Sequence, residues 1–167
     1  MRTDVKRRGW TISAEGNDLA DRFLESVFFT GNGRMGARGY PAYRPIRRPL
    51  DAGLFLAGFY DRISDSTELT DFVNLPTPIW YQIRLNGRIP AIPSHLSRAL
   101  DLRTGLLTFR YRLSIADDWV DVQEQRFFSL AKPSFLFQRL NSRAAGSWSF
   151  WPGSTTRAAT ALSQTIR

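Results

Sequence analysis

The sequence contains no cysteine and a single histidine, His95, among its 167 residues. The absence of cysteine excludes disulfide bonds, thiolate metal ligands and a cysteine nucleophile. One histidine also leaves no imidazole cluster for a metal and weakens any serine–histidine–aspartate triad. No metal site is therefore expected, and the lack of cysteine fits a cytoplasmic location.

Long apolar runs are missing as well. No stretch of about 18 apolar residues is present, so no transmembrane helix and no membrane partner are expected. The basic start of the chain, MRTDVKRRGWTISAEG, is not followed by the apolar segment of a secretory signal.

Acidic residues are absent from the end of the chain, although the net charge of the whole is +8. Glu124 is the last of them, and the 43 residues that follow carry six Lys or Arg. A second basic excess lies between Arg34 and Arg48. Because the charge is partly an end effect, nucleic-acid binding is disfavoured, but a basic nucleic-acid-binding β-protein stays an alternative.

Strand periodicity dominates what is present. LLTFRYRLS and WVDVQEQRFFSL, either side of a short polar break, alternate apolar and polar residues and predict a β-hairpin. Residues 79–92 predict a second hairpin, because Asn86-Gly87 tolerates the positive φ angles of a type I′ turn. Residues 53–63 and 133–140 predict further strands. The sequence thus indicates an all-β, antiparallel β-sandwich with at most short helices, one of which Asn17 could cap.

The segment TGNGRMGARGY contains the spacing G-x-G-x-x-G at Gly31, Gly33 and Gly36. In a dinucleotide site this spacing opens a helix whose N-terminus holds phosphate. Three prolines between residues 41 and 49 exclude that helix. An arginine–glycine RNA segment would need more repeats than are present. The residues alone therefore favour a tight turn between strands, where glycine allows positive φ and close backbone approach.

Five segments occur in an order that resembles the N-terminal domain of glycoside hydrolase family 65. They are FLESVFFTGNGRMGARGY, GLFLAGFYDR, LTDFVNLPTPIWYQIRLNG, LDLRTGLLTFRYRL and QRFFSLAKPSFLFQRL. The resemblance covers about Trp10 to Leu140, and Glu25 to Gly39 is its most specific part. Members of this family include maltose, trehalose and kojibiose phosphorylases and related hydrolases.

The resemblance implies a β-sandwich that precedes a catalytic (α/α)6 barrel. In that barrel a carboxylic acid protonates the leaving oxygen of an α-glucosidic disaccharide, while inorganic phosphate or water attacks with inversion. It implies no cofactor, and it leaves a homodimer open. No position of this sequence matches the barrel's catalytic or phosphate-binding residues, so no catalytic residue is assigned. Asn32, Arg34 and Arg38 are predicted to contact the barrel or a sugar.

The resemblance fades near Leu140. Residues 1–140 are predicted to form a partial N-terminal sandwich, and residues 141–167 a disordered or frameshifted tail in a truncated product. The chain is expected to be the non-catalytic part of a carbohydrate-active enzyme, with a scaffold or carbohydrate-binding role. A free-standing sugar-binding module is the alternative within the same ancestry.

Overall fold

The chain folds almost entirely into antiparallel β-strands. A computed structural model describes residues 4–16, 22–43, 53–62, 70–91, 93, 95–145 and 147–152. Within these ranges it contains thirteen strands and one helix of six residues, α1 (Arg22–Val27). The predicted all-β class with at most short helices is confirmed. No helix in this part of the chain has the length and apolar character needed to cross a membrane.

Six strands form the largest sheet. They are β1 (Val5–Arg8), β2 (Thr11–Gly16), β9 (Leu96–Asp101), β10 (Leu106–Ile115), β11 (Asp118–Phe128) and β12 (Leu136–Ala145). Their order is β1-β2-β9-β10-β11-β12, with every pair antiparallel. The hairpin predicted from LLTFRYRLS and WVDVQEQRFFSL is β10–β11, and Ala116 in its turn has a φ of 51°.

Seven shorter strands form three small sheets. They are β3 (Thr30–Gly31), β4 (Met35–Ala37), β5 (Leu54–Leu56), β6 (Tyr60–Arg62), β7 (Thr70–Phe72), β8 (Tyr81–Leu85) and β13 (Trp148–Pro152). The sheets are β3-β4-β5, β6-β7 and β13-β8.

The core lies between the large sheet and these smaller elements. Leu107, Phe109, Tyr111 and Leu113 alternate along β10 and are buried, as the period-2 pattern predicts. They share one apolar cluster with buried side chains of α1, of β8 and of residues 37–43. The glycine-rich segment is therefore held against the inner face of the large sheet.

One predicted strand and one predicted hairpin differ from the structure, because of a glycine turn in the first and prolines after the second. Residues 53–63 do not form one strand: β5 and β6 are separated by a turn at Gly58, whose φ is 81°. The Asn86-Gly87 turn is present with φ of 49° and 74°, but Arg88 beyond it forms only an isolated bridge with Leu85. Pro90 and Pro93 follow and have no N–H to donate to a ladder.

The partner of β8 comes instead from beyond Leu140. Residues Trp148–Pro152 pair with Leu85–Tyr81, and β12 itself continues to Ala145. Strand structure thus extends past the predicted boundary at residue 140, and the division of the chain there stays a prediction. Asn17 and residues 153–167 lie outside the described residues.

Candidate functional site

Asn32 fastens the turn between β3 and β4 to the large sheet. Its Nδ2 donates hydrogen bonds to the carbonyl oxygens of Ser129, at 2.7 Å, and Pro133, at 3.0 Å. Its Oδ1 accepts from the backbone N–H groups of Arg34, at 3.1 Å, and Met35, at 3.0 Å. All four contacts are internal, so the amide of Asn32 holds the loop in place.

Three glycines of the same segment, Gly31, Gly36 and Gly39, stand where a Cβ would lie less than 3.0 Å from backbone or ring atoms. A Cβ on Gly39 would lie 2.3 Å from the Cβ of Phe28 and 2.5 Å from its carbonyl oxygen. A Cβ on Gly36 would lie 2.5 Å from the ring of Phe29. The N–H of Gly39 also donates to the Glu25 carbonyl at 2.7 Å. Close approach between the end of α1 and the strand after the turn therefore requires glycine.

Arg38 is half-buried and joins the segment to its neighbours through both side chain and backbone. Its aliphatic stem lies against Gly53, and its guanidinium carbon is 6.0 Å from the ring centre of Phe55. Its carbonyl oxygen accepts a 2.8 Å hydrogen bond from Nη2 of Arg126. Arg34 is exposed and lies at the tip of the turn.

An open cleft of about 630 Å³ lies beside this turn, and its lining is mostly apolar. Its walls come from β3, β4, β5 and β7: Phe29, Gly31, Gly33, Arg34, Met35, Gly36, Phe55, Leu56, Ala57 and Phe72. We call it the aromatic cleft. Phe29 is 44% exposed and Phe72 is 50% exposed. The ring centre of Phe55 is 6.4 Å from that of Phe29 and 6.1 Å from that of Phe72, which makes a continuous aromatic wall.

The three residues predicted as a contact loop therefore do not form one site. Arg34 lines the aromatic cleft. Arg38 contacts the ring of Phe55 in the wall of the cleft, whereas Asn32 donates a hydrogen bond to the β11–β12 loop. Their contact with a barrel or a sugar stays a prediction.

A second cluster, which the sequence analysis did not identify, lies fully buried behind the glycine-rich segment. Glu124 and Arg126 of β11 are both 0% exposed, and Glu124 Oε1 lies 3.5 Å from Arg126 Nη1. Glu124 also accepts hydrogen bonds from the Ala42 N–H at 2.9 Å, from Tyr81 Oη at 3.3 Å and from Gln138 Nε2 at 3.2 Å. These acceptor contacts fit a carboxylate.

The buried positive charge of Arg126 is stabilised by two aromatic rings as well as by the carboxylate of Glu124. The guanidinium carbon lies 5.2 Å from the ring centre of Tyr40 and 5.1 Å from that of Phe109. Such cation–π contacts stabilise a desolvated cation. Tyr81 and Tyr111 complete the cluster, since their hydroxyl groups share a hydrogen bond.

Burial dominates the electrostatics of this cluster. Desolvation raises the pKa of Glu124, while the positive charge of Arg126 and the hydrogen bonds from Ala42, Tyr81 and Gln138 oppose that rise. Desolvation likewise lowers the pKa of Arg126, against the attraction of Glu124. Tyr81 and Tyr111 have raised pKa values, mainly because of burial.

The buried cluster connects the large sheet to the segments packed on its inner face, and a substrate cannot reach it. A general acid must reach the atom that it protonates, whereas Glu124 is covered by protein on every side. Its signal was present in the sequence: the alternation that buries Val120 and Val122 also places Glu124 and Arg126 on the inner face.

Two adjacent carboxylates, Asp117 and Asp118, lie where β10 meets β11. Asp118, the first residue of β11, accepts a hydrogen bond from Asn86 Nδ2, and Asp117 in the turn is exposed. Across the described part of the chain, no three His, Asp or Glu side chains lie close enough to hold a metal ion.

Comparison with known proteins identifies the family to which this architecture belongs. The family model for glycosyl hydrolase family 65, N-terminal domain, matches residues 14–150. Trehalose 6-phosphate phosphorylase from Lactococcus lactis subsp. lactis (strain IL1403) is 26% identical over 123 residues, which is 67% of this chain and 16% of the relative. A solved structure of a human-microbiome protein assigned as a kojibiose phosphorylase has the same fold, with a TM-score of 0.68 and 16% identity.

That structural match covers 84% of this chain and 20% of the other. The chain thus spans between 16% and 20% of the length of these two relatives. The family match covers most of the chain and includes the glycine-rich segment. This chain belongs to glycosyl hydrolase family 65 and carries the N-terminal domain of that family.

Proposed function

We propose that this chain serves as the non-catalytic sandwich of an enzyme that cleaves α-glucosidic disaccharides, and that the aromatic cleft packs against another protein domain. One observation carries the proposal: among the described residues that line the cleft there are exposed phenylalanine rings and one charged side chain, Arg34, and none of these residues bears a carboxyl group. Inverting glycoside cleavage needs a carboxylic acid at the leaving oxygen. Exposed aromatic surface of this kind is typical of protein interfaces.

The substrate class comes from the relatives. One is a trehalose 6-phosphate phosphorylase and the other is assigned as a kojibiose phosphorylase. By analogy, the full-length enzyme would use an α-glucosidic disaccharide and inorganic phosphate, and a homodimer remains a prediction. Such substrates would be processed outside this sandwich, because no position of the sequence matches the catalytic or phosphate-binding residues of the family's barrel.

A turnover assay with the purified chain tests the non-catalytic assignment. Trehalose 6-phosphate, kojibiose, trehalose and maltose are each incubated with the chain and inorganic phosphate, and sugar phosphate is measured. No product above the protein-free blank is expected. Phosphate-dependent product that rises in proportion to the chain concentration would contradict the proposal.

A free-standing sugar-binding module is the second candidate, because exposed rings such as Phe72 could stack on a sugar. This candidate predicts saturable binding of a neutral disaccharide at the aromatic cleft. The scaffold role predicts none.

A further inference from the structure

The outer face of the large sheet carries a row of polar side chains that crosses four strands. Ser97 of β9 pairs with Arg110 of β10, Arg110 pairs with Gln123 of β11, and Gln123 pairs with Asn141 of β12. Adjacent strands are about 4.8 Å apart. A hydroxyl, a guanidinium and two carboxamides therefore stand side by side on one surface.

A shallow cleft of about 580 Å³ lies over this row. The side chains that matter for its chemistry are His95, Ser97, Arg110, Gln123, Asn141 and Arg143. Its volume falls in the range of small-molecule sites, about 300–1,000 Å³. It is separate from the aromatic cleft, with which it shares no lining residue.

The charge of this cleft is positive after internal pairing. Arg112 is neutralised by Asp121 through hydrogen bonds of 2.6 and 2.7 Å, and its guanidinium lies 4.4 Å from the ring centre of Trp119. Within the described residues, the guanidinium of Arg110 has no hydrogen-bond or ion-pair partner. Arg143 adds a second positive charge; it stands directly opposite Asp121 in the β11–β12 register, and its charge contributes to lowering the pKa of Asp121.

Arg110 and Arg143 stand on either side of β11. Since β10 and β12 both neighbour β11, their backbones are about 10 Å apart. Arg110 is directly opposite Gln123, whereas Arg143 is opposite Asp121, two residues along β11. Two long arginine side chains span that distance, so both guanidinium groups can reach an anion seated above Gln123, beside the Arg112–Asp121 pair. Guanidinium forks match the oxygen geometry of a phosphate group.

We propose that this cleft binds a phosphate group, either free or as the ester of a sugar, between Arg110 and Arg143 with Gln123 beneath it. The carboxamides and Ser97 supply the neutral donors and acceptors that the remaining oxygens require. The site is distinct from the aromatic cleft and does not depend on the scaffold role proposed above.

A single-stranded nucleic acid fits this surface less well. Such ligands need exposed aromatic faces on which bases stack. Of the two rings among the described lining residues, Tyr111 is buried and the imidazole of His95 is exposed, and Trp119 beside the cleft is covered by Arg112. A single imidazole is less than the series of aromatic faces on which successive bases stack.

Calorimetric titration of the full 167-residue chain tests the site with inorganic phosphate, glucose 6-phosphate, glucose and a short oligonucleotide. The variants are Arg110→Gln, Arg143→Gln and Arg110→Lys, which keeps the charge without the fork. Arg103→Gln is the matched control, since Arg103 is exposed on the β9–β10 turn beside Trp10. Circular dichroism checks that each variant has the wild-type strand content.

Both phosphate and glucose 6-phosphate are expected to bind, and glucose is not. Arg110→Gln and Arg143→Gln should each weaken binding by about tenfold or more, Arg110→Lys by less, and Arg103→Gln should leave it unchanged. Phosphate binding alone would identify the free anion, and much tighter binding of the ester would identify a sugar phosphate. Absence of binding at millimolar phosphate would overturn the proposal, as would equal losses in all variants or preferential binding of the oligonucleotide.

Discussion

At the scale of single residues, the glycine-rich segment is explained by packing more than by chemistry. Both ends of the Asn32 carboxamide hydrogen-bond to backbone groups, and the absence of a side chain at Gly36 and Gly39 leaves space for rings and backbone. The sequence allowed the prediction of a tight turn, because glycine at such density indicates positive φ or close contact. It did not reveal which of these applies, since the contacts of Gly39 lie with Phe28, eleven residues earlier.

Replacement of Asn32 tests its fastening role. Asn32→Ala removes two hydrogen bonds to carbonyls of the β11–β12 loop and two within the turn. We expect the free energy of unfolding to fall by about 2 kcal/mol, measured by urea denaturation. The neighbouring Arg34→Ala should change it by less than about 0.5 kcal/mol, because Arg34 is exposed. Equal effects of the two substitutions would refute the fastening role.

Gly39→Ala tests the close approach. The added methyl would meet backbone as well as side-chain atoms of Phe28, which cannot rotate away, so we expect a loss of about 3 kcal/mol. Gly33→Ala is the comparison: its Cβ would meet no atom within 4 Å, but its φ of 83° costs about 1–2 kcal/mol. Thermal or urea unfolding of both variants gives the ranking, and a smaller loss at Gly39 than at Gly33 would show that the approach is looser than described.

At the scale of elements, periodicity located the strands that form their own hairpins. The β10–β11 hairpin alternates clearly and was predicted from that alternation. Pairing between distant segments was not visible: β13 joins β8 across more than sixty residues, and its short aromatic run, Trp148 to Trp151, stands in a stretch otherwise rich in Ser, Thr, Ala and Gly. The burial of Glu124 and Arg126 was obscured for a related reason, since charged residues are expected outside.

The ion pair within β11 leads to a prediction about stability and pH. Arg126→Met leaves Glu124 buried without its cation, and should cost about 3–5 kcal/mol at pH 7. Arg112→Met is the control, because its pair with Asp121 is exposed and should be worth no more than about 1 kcal/mol. Removing both buried partners, in Glu124→Leu with Arg126→Met, should recover part of the loss.

The pH dependence follows from the raised pKa of Glu124. A carboxyl whose pKa is higher in the folded than in the unfolded state contributes most below the unfolded value of 4.5, and loses that contribution as pH rises through the folded pKa. Without Arg126 the folded pKa rises further. The stability gap between wild type and Arg126→Met should therefore widen from pH 4 to pH 7 in urea titrations. A gap that stays constant, or narrows, would contradict an uncompensated buried carboxylate.

At the scale of the whole molecule, this sandwich has two surfaces of different character. The aromatic cleft is apolar and lies beside the segment most specific to the family. The outer face of the large sheet is polar and carries three arginines, Arg110, Arg112 and Arg143, beside one carboxylate, Asp121. From the sequence, the exposed rings could not be separated from core rings, because composition and spacing do not say which strands cover them. The family resemblance identified the ancestry, and of the three residues predicted to contact a barrel or a sugar, Arg34 lines the aromatic cleft.

We propose that the aromatic cleft receives protein and not sugar. The most direct test is an NMR titration of the chain with ring-labelled phenylalanine, using kojibiose, trehalose and maltose in turn, then an apolar fluorophore that binds exposed hydrophobic surface. We expect the resonances of Phe29, Phe55 and Phe72 to stay fixed with every sugar and to shift with the fluorophore, and we expect Phe72→Ser to weaken the fluorophore shift. A saturable shift of these rings with a neutral disaccharide, abolished by Phe72→Ser, would contradict it and make the cleft a sugar site.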